Sequence, residues 1–301
     1  MLGKYNEAEQ MYRQTLELRE RILGREHPST LGSMNNLAIV LNNQGKYKEA
    51  EQMHRQTLEL KERMLGREHP STLGSMNNLA LVLNSQGKYK EAEQIDHQTL
   101  ELRERILGRE HPDTLNNMNN LALVLNSQGK YKEAEQIDHQ TLKLRERILG
   151  REHPSTLDNI NNLALVLNSQ GKYKEAEQID HQTLELRERI LGREHPDTLM
   201  SMNNLAGVLR NQGKYEEAEQ MHRQTLELKE RILGREHPDT LMSMNNLAGV
   251  LRNQGKYEEA EQMHRQTLEL RERMLGKEHP STLRSKANLD ACLQAKIGKG
   301  L

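Results

Sequence analysis

The sequence predicts an all-α solenoid of antiparallel helix pairs, on three observations: a fixed repeat, an amphipathic period in each half of that repeat, and a lean core composition. The Gly-Lys-Tyr unit begins at Gly3, Gly45, Gly87, Gly129, Gly171, Gly213 and Gly255, with a period of 42 residues. The His-Pro pair keeps the same period, at His27, His69, His111, His153, His195, His237 and His279. Repeats between about 20 and 50 residues long mark one supersecondary unit stacked on copies of itself. Of the 301 residues, 34% are apolar and 3% aromatic, with neither Trp nor Phe, so no large globular core is being filled. Units that touch only their neighbours pack with small and medium side chains.

One unit shows why two helices form. From Pro70 to Gln86, Leu73, Met76, Leu79, Ala80 and Leu83 recur at spacings of three and four, the stripe of an amphipathic helix. Pro followed by Ser, Asp or Thr is its start signal. Gly87 ends this helix A, because glycine tolerates the left-handed backbone of a helix stop. Tyr89, Ala92, Ile95, Leu100, Leu102 and Ile106 then mark a longer helix B, which ends at Leu107-Gly108. At the α-helical rise the two span about 24 Å and about 30 Å, and the short connection makes them antiparallel. On helix B, Glu59 with Arg63 and Glu101 with Arg105 stand four apart in the favourable order, each pair contributing about 0.2–0.5 kcal/mol to a solvated face.

The bulk numbers exclude several classes of function. The formal net charge is −1 with both signs interspersed, so neither nucleic acid nor a membrane surface is an expected partner. The longest apolar run, such as Leu79 to Leu83, falls far short of the roughly 20 residues a membrane helix needs. Cys292 is the single cysteine and makes no intrachain disulfide. The start carries no signal-peptide pattern, so a cytoplasmic location is expected. The thirteen histidines fall before Pro in linkers or in helix B, copied from unit to unit, which points to the fold; neither a metal nor a cofactor is expected. Asp96-His97, Asp138-His139 and Asp180-His181 set acid beside imidazole, but adjacent helical residues point apart and no Ser or Cys nucleophile has matching spacing. Gly45-Lys46 lacks the first Gly of a phosphate loop and is followed by Tyr. No enzymatic activity is expected.

Leu37-Ala38 in the first helix, followed by Gly45, Tyr47 and Ala50, follows the Leu-Gly/Ala, Gly-x-Tyr, Ala pattern, and the chain resembles a tetratricopeptide repeat array. The 42-residue period, the Asn-Asn-Leu-Ala segment and the Leu-Gly-x-x-His-Pro linker resemble the kinesin light chain variety, also found as the sensor array of NTPase-linked receptor proteins. The resemblance covers nearly the whole chain. It departs from the pattern where Met34, Met76, Met118, Ile160, Met202 or Met244 replaces the large residue of helix A. In helix B, His54, Asp96, Asp138, Asp180, His222 or His264 replaces the usual aromatic. It implies a right-handed superhelix whose A helices line a concave groove that binds extended peptides.

On this reading residues 1–28 are an orphan helix B and linker, residues 29–70, 71–112, 113–154, 155–196, 197–238 and 239–280 are repeats, and 281–301 is a capping helix. Lys286 and Asp290 replace apolar residues of the other copies, as suits a solvent-facing end. The first helix B has no preceding helix A to cover Leu16, Leu18 and Ile22. This suggests a fragment of a larger NTPase-linked signalling protein, or self-association through that uncovered helix. A self-associating structural array is therefore the competing expectation.

Candidate binding residues come from the columns of helix A that change between copies. One runs Gly32, Gly74, Asn116, Asp158, Met200, Met242, Arg284; a second Ile39, Leu81, Leu123, Leu165, Gly207, Gly249, Ala291; a third Asn42, Asn84, Asn126, Asn168, Arg210, Arg252, Gln294. The Asn pairs recur despite a cost of up to ~0.7 kcal/mol for Asn inside a helix. Asn77, Asn78, Asn119, Asn120, Asn161, Asn162, Asn203, Asn204, Asn245 and Asn246 are expected to meet the backbone of a bound peptide with one Asn of each pair and the neighbouring repeat with the other. Gly207 and Gly249 clear space beside Arg210 and Arg252, with Arg284 nearby. Arg suits a carboxylate or phosphate, so the expected partner is an extended, acidic protein or peptide segment. Alternatively, Arg210 and Arg252 are helix-end residues that meet the carboxyl dipole.

Overall fold

A computed structural model describes residues 2–299, with side chains from residue 7 onward. Residues 300 and 301 of the capping segment, and the side chains of the first Gly-Lys-Tyr unit, lie outside the described residues. The elements are α1 (Leu2–Leu23), α2 (Pro28–Asn43), α3 (Tyr47–Leu65), α4 (Pro70–Ser85), α5 (Tyr89–Leu107), α6 (Pro112–Ser127) and α7 (Tyr131–Leu149). They continue as α8 (Pro154–Ser169), α9 (Tyr173–Leu191), α10 (Pro196–Asn211), α11 (Tyr215–Leu233), α12 (Pro238–Asn253), α13 (Tyr257–Leu275) and α14 (Pro280–Ile297). The fold is all-α among the described residues, and consecutive helices pack in pairs. Even-numbered helices are A helices and odd-numbered ones B helices. Gly3–Asn162 forms one compact unit and the stretch from Leu163 onward a second.

The A-to-B turn is the same throughout. The Lys88 amide donates to the Leu83 carbonyl at 2.9 Å and the Gly87 amide to that of Asn84 at 3.0 Å. This double closure requires a left-handed residue between them, and Gly87 supplies it at φ +77°. The B-to-A linker holds a device that Pro and Ser alone did not reveal. The His69 ring caps the next helix, its Nδ1 accepting from the Ser71 amide at 3.1 Å, and His27, His111, His153, His195, His237 and His279 do the same. Thr72 Oγ1 donates back to the Gly66 carbonyl at 2.9 Å and closes the linker.

The core belongs to no single pair. Leu79, Ala80 and Leu83 of α4 and Ala92 of α5 are buried together with Val124 of α6, and Leu58 of α3 and Ile95 pack against them. In the second unit Leu205, Leu209, Ala218 and Val250 repeat this arrangement, and Cys292 takes the place of that valine beside Leu247, Leu251 and Ala260. Leu16 packs against Leu37 and Leu41 and is thus covered, whereas Leu18 and Ile22 are exposed. Lys286 and Asp290 are exposed.

Some salt bridges keep the spacing of four, as Glu51 with Arg55 does, but the two expected pairs do not form. Arg63 and Arg105 reach back to Glu26 and Glu68, 37 residues away in each case, and not to Glu59 and Glu101. With both partners exposed, such bridges contribute at most about 1 kcal/mol each. The stronger link is a basic side chain buried along the same helices. Arg187 is 1% exposed and donates to the Asp197 carbonyl at 3.0 Å and Ser201 Oγ at 2.9 Å. Lys61 and Arg271 clamp the first turn of the following A helix in the same way.

Two turns before that basic residue the interior holds Asp96, Asp138 and Asp180 in three copies and His54, His222 and His264 in the others, all buried. Asp96 and Asp138 accept from Asn117 at 3.2 Å and Asn159 at 3.0 Å, each leaving its second oxygen unpartnered. Burial pushes all three carboxyls up to about 7, against the pull of Arg103, Arg145 and Arg187. Burial likewise holds the three imidazoles down at about 4. Between about pH 4 and pH 7 the folded carboxyls keep protons that an unfolded chain releases, so they lower stability as pH rises. The histidines act the other way, since an unfolded chain gains protons below about pH 6.5 that the folded rings refuse until about pH 4. The two sets oppose each other over one window. The double variant Asp96→Asn, Asp138→Asn is expected to gain stability over the parent as pH rises from about 5 to about 7.5, by on the order of a few kcal/mol at about 1.4 kcal/mol per unit of pKa shift. Urea unfolding midpoints across that range measure it, and parallel profiles for the two proteins would contradict it.

Candidate functional site

The heptad arithmetic of helix A leaves one stripe uncovered. In α10, Leu199, Met202, Leu205, Ala206, Val208 and Leu209 are buried, while Met200, Asn203, Asn204, Gly207 and Arg210 lie on the accessible side. Met242, Asn246, Gly249 and Arg252 form the same stripe in α12, with Met200 and Met242 39% and 44% exposed. In the first unit the corresponding positions carry Ile39 and Leu81, both exposed, and Leu123, half-buried. All three variable columns lie on this stripe.

The asparagines of the stripe form a ladder. Nδ2 of Asn78 donates to Oδ1 of Asn35 at 2.7 Å, Asn120 to Asn77 at 2.8 Å, and Asn162 to Asn119 at 3.0 Å; in the second unit Asn246 donates to Asn203 at 3.0 Å. The second Asn of one copy thus holds the first Asn of the copy before, and both members of a pair serve the stacking of repeats. Asn245 turns inward instead, donating to Ser285 Oγ at 3.0 Å and meeting His264 Nδ1 at 3.0 Å, and is buried, as is Asn161. Asn204 is half-buried on the stripe.

The arginines behave differently. A Cβ on Gly249 would lie 3.6 Å from Nη1 of Arg210, so the Arg210 side chain reaches from α10 onto α12 and rests where the other copies carry a side chain. Nothing lies within 4 Å of the corresponding point on Gly207, which stays open. Arg210 makes one long contact, from Nη2 to Asn211 Oδ1 at 3.4 Å. Its pKa is lowered, by burial first and then by the charge of Arg252. The opposing influence comes from the phenol of Tyr215 and from no carboxylate. The Arg252 guanidinium has no hydrogen bond or ion pair among the described residues. Behind the pair, His222 is buried with neither ring nitrogen partnered, and after burial itself the Arg210 charge is the next cause keeping it neutral. Arg252 acts likewise on His264. Arg284 is exposed on α14 and contributes, after burial, to the lowered pKa of Arg271.

Sequence reasoning set Asp96, Asp138 and Asp180 in one column with His54, His222 and His264 but did not foresee that all six are buried, because His97, His139 and His181 sit one residue beyond it. That offset was the available signal. Among the described residues no group of three or more His, Cys, Asp or Glu could hold a metal ion, and no helix is long and apolar enough to cross a membrane. A surface hollow of about 530 Å³ lies along one B helix and is lined by Lys90, Glu93, His97 and Glu101.

A tetratricopeptide repeat model matches residues 1–63, 71–147, 117–178, 156–231, 201–273 and 239–296. The chain belongs to the tetratricopeptide repeat family. Among solved structures it is similar to nearly identical TPR-like repeats of a Podosopora anserina kinesin light chain-like protein. That match is 29% identical, covers 68% of this chain and 97% of that one, and has a TM-score of 0.58. BtubC (BKLC) from P. vanneervenii is 19% identical, with coverage of 79% and 92% and a TM-score of 0.57. A tetratricopeptide repeat protein from Parabacteroides merdae is 16% identical over 97% of this chain and 93% of its own, at a TM-score of 0.63. These last two show the fold alone. No curated protein matches the chain. The array is a TPR scaffold fold typical of protein-interaction adaptors, its structural neighbours include kinesin light chain-like TPR proteins, and proteins of this family are generally non-catalytic.

The Asn ladder yields a direct measurement. Asn77→Ala and Asn120→Ala each remove one end of a rung while gaining helix propensity, so single variants change stability little. A double-mutant cycle on the two is expected to give a coupling of about 1 kcal/mol, read from urea unfolding. A coupling near zero would mean the rung does not persist in solution.

Proposed function

We propose that this TPR array is a non-catalytic scaffold that receives an extended acidic peptide segment along the uncovered stripe of its A helices. The observation that carries the reading is the pair Arg210 and Arg252, half-buried, repelling each other, and without a carboxylate partner. Many other surface arginines are matched to glutamates, as Arg223 is to Glu219 and Glu259. An unmatched pair on the one face that varies between copies is a place for a ligand's negative charge. Met200 and Met242 flank it with adaptable apolar surface for a neighbouring side chain of the peptide. Asn204 and Asn246 offer amide groups on the same stripe, and Arg284 extends the basic surface toward α14. The repeats are delimited as the 42-residue period sets them, the partner is a protein or peptide, and the working compartment is the cytoplasm.

A second reading rests on α1, where Met11, Leu18 and Ile22 are 67%, 47% and 70% exposed. They offer a surface for self-association.

A display screen of random and cellular peptides against the purified array tests both, with the double variant Arg210→Glu, Arg252→Glu in parallel and circular dichroism to confirm its fold. Acidic peptides enriched by the parent and lost by the variant are the expected result. Hits indifferent to the two arginines, or a mass by light scattering that rises with concentration in both proteins while no peptide is enriched, would favour self-association.

A further inference from the structure

Charge and donor counting on the Arg210 and Arg252 pair narrow the anion further. Two guanidinium groups stand on facing stripes of α10 and α12, with Arg210 Nη1 resting over Gly249 one helical turn before Arg252. Each presents five N–H donors. Among the described residues these donors meet one long contact, to Asn211 Oδ1 at 3.4 Å, and no acid. A single carboxylate offers two oxygens and one negative charge, which leaves one cation uncompensated. A phosphate monoester offers three terminal oxygens and a charge of about −1.5 to −2 near neutral pH, which matches two guanidinium forks.

The surroundings agree. The Arg210 charge reaches the buried His222 and the Arg252 charge the buried His264. Gly207 leaves open space one turn before Arg210 for a group bulkier than a carboxylate. In the first unit the same column carries Asn42, Asn84 and Asn126, so the double charge is particular to the second. Gly249 leaves the Arg210 guanidinium room to lie against α12, 3.6 Å from where a Cβ would stand.

We infer that Arg210 and Arg252 form a dianion site whose ligand is a phosphorylated serine or threonine within the bound peptide, so that phosphorylation of the partner controls its capture. This rests on the peptide-scaffold reading above and names the chemistry of its anchor. Asn211, held by its Nδ2 on Asn168 Oδ1 at 3.0 Å, steadies the Arg210 end of the pair.

The test uses three immobilised peptide libraries with a fixed central residue, phosphoserine, glutamate or serine, and random flanks, probed with the full chain and with the Arg210→Lys, Arg252→Lys variant. The expected result is retention on phosphoserine about tenfold or more above glutamate. That ratio should fall as pH drops from about 7.5 to about 5.5, through the second phosphate ionisation near 6. The lysine variant keeps the charge but loses the forked geometry, and should lose most of the preference for phosphoserine. Inorganic phosphate, followed by the side-chain Nε–Hε NMR signals of the two arginines, should shift both and compete with the phosphoserine library.

Equal retention on phosphoserine and glutamate would overturn the phosphate assignment and leave the acidic-peptide reading standing. Retention on neither above serine would overturn both. Phosphate shifts without phosphopeptide retention would assign the site to free oxyanions and overturn the phosphopeptide inference. Phosphoserine retention unchanged by Arg210→Glu, Arg252→Glu would place the anchor elsewhere and overturn it as well.

Discussion

Ala80 and Ala92 meet with no accessible surface to spare, and that close approach of an A helix to its B helix is what the remainder of the structure depends on. Small residues at the crossing bring the backbones near enough for Leu79 and Leu83 to be roofed by Val124 of the following copy and Leu58 of the preceding one. No pair encloses its own leucines, so stability is shared between neighbours and each interface is a unit of cooperativity. Because burial claims about half of helix A, the columns that vary between copies are confined to its accessible side.

Polar side chains then specify how copies stack. The linker imidazoles cap the A helices, the basic residue late in helix B clamps the next first turn, and the asparagine ladder joins successive A helices. Apolar packing alone tolerates sliding, whereas hydrogen bonds with fixed partners do not. The buried Asp and His column makes the same junction sensitive to protonation. Because the two residue types respond in opposite directions, their mixture levels the response of the whole array.

The Arg210 and Arg252 pair stands out against this background. Elsewhere charge is matched across copies, as in the network of Glu51 with Arg55 and Lys88. At the pair, burial and mutual repulsion remain without a counter-ion, a standing cost that the proposed anion would relieve. The glycine at Gly249 gives Arg210 room to lie across to the next repeat.

By itself the sequence determined the fold class, the helix order and nearly every helix boundary, because a period of 42 residues and the spacings of Leu, Ala and Gly are local properties written seven times over. It also marked the variable columns that form the uncovered stripe. Only the tertiary structure decided which charges pair and which polar groups are buried. Arg63 found Glu26 rather than Glu59, Asn77 and Asn78 both joined a ladder while Asn245 turned inward, and Asp96 and His54 proved to be buried. Those outcomes depend on distances between residues about one repeat apart. A helix sets the face on which a side chain stands, and the packing of the next repeat sets what that side chain meets.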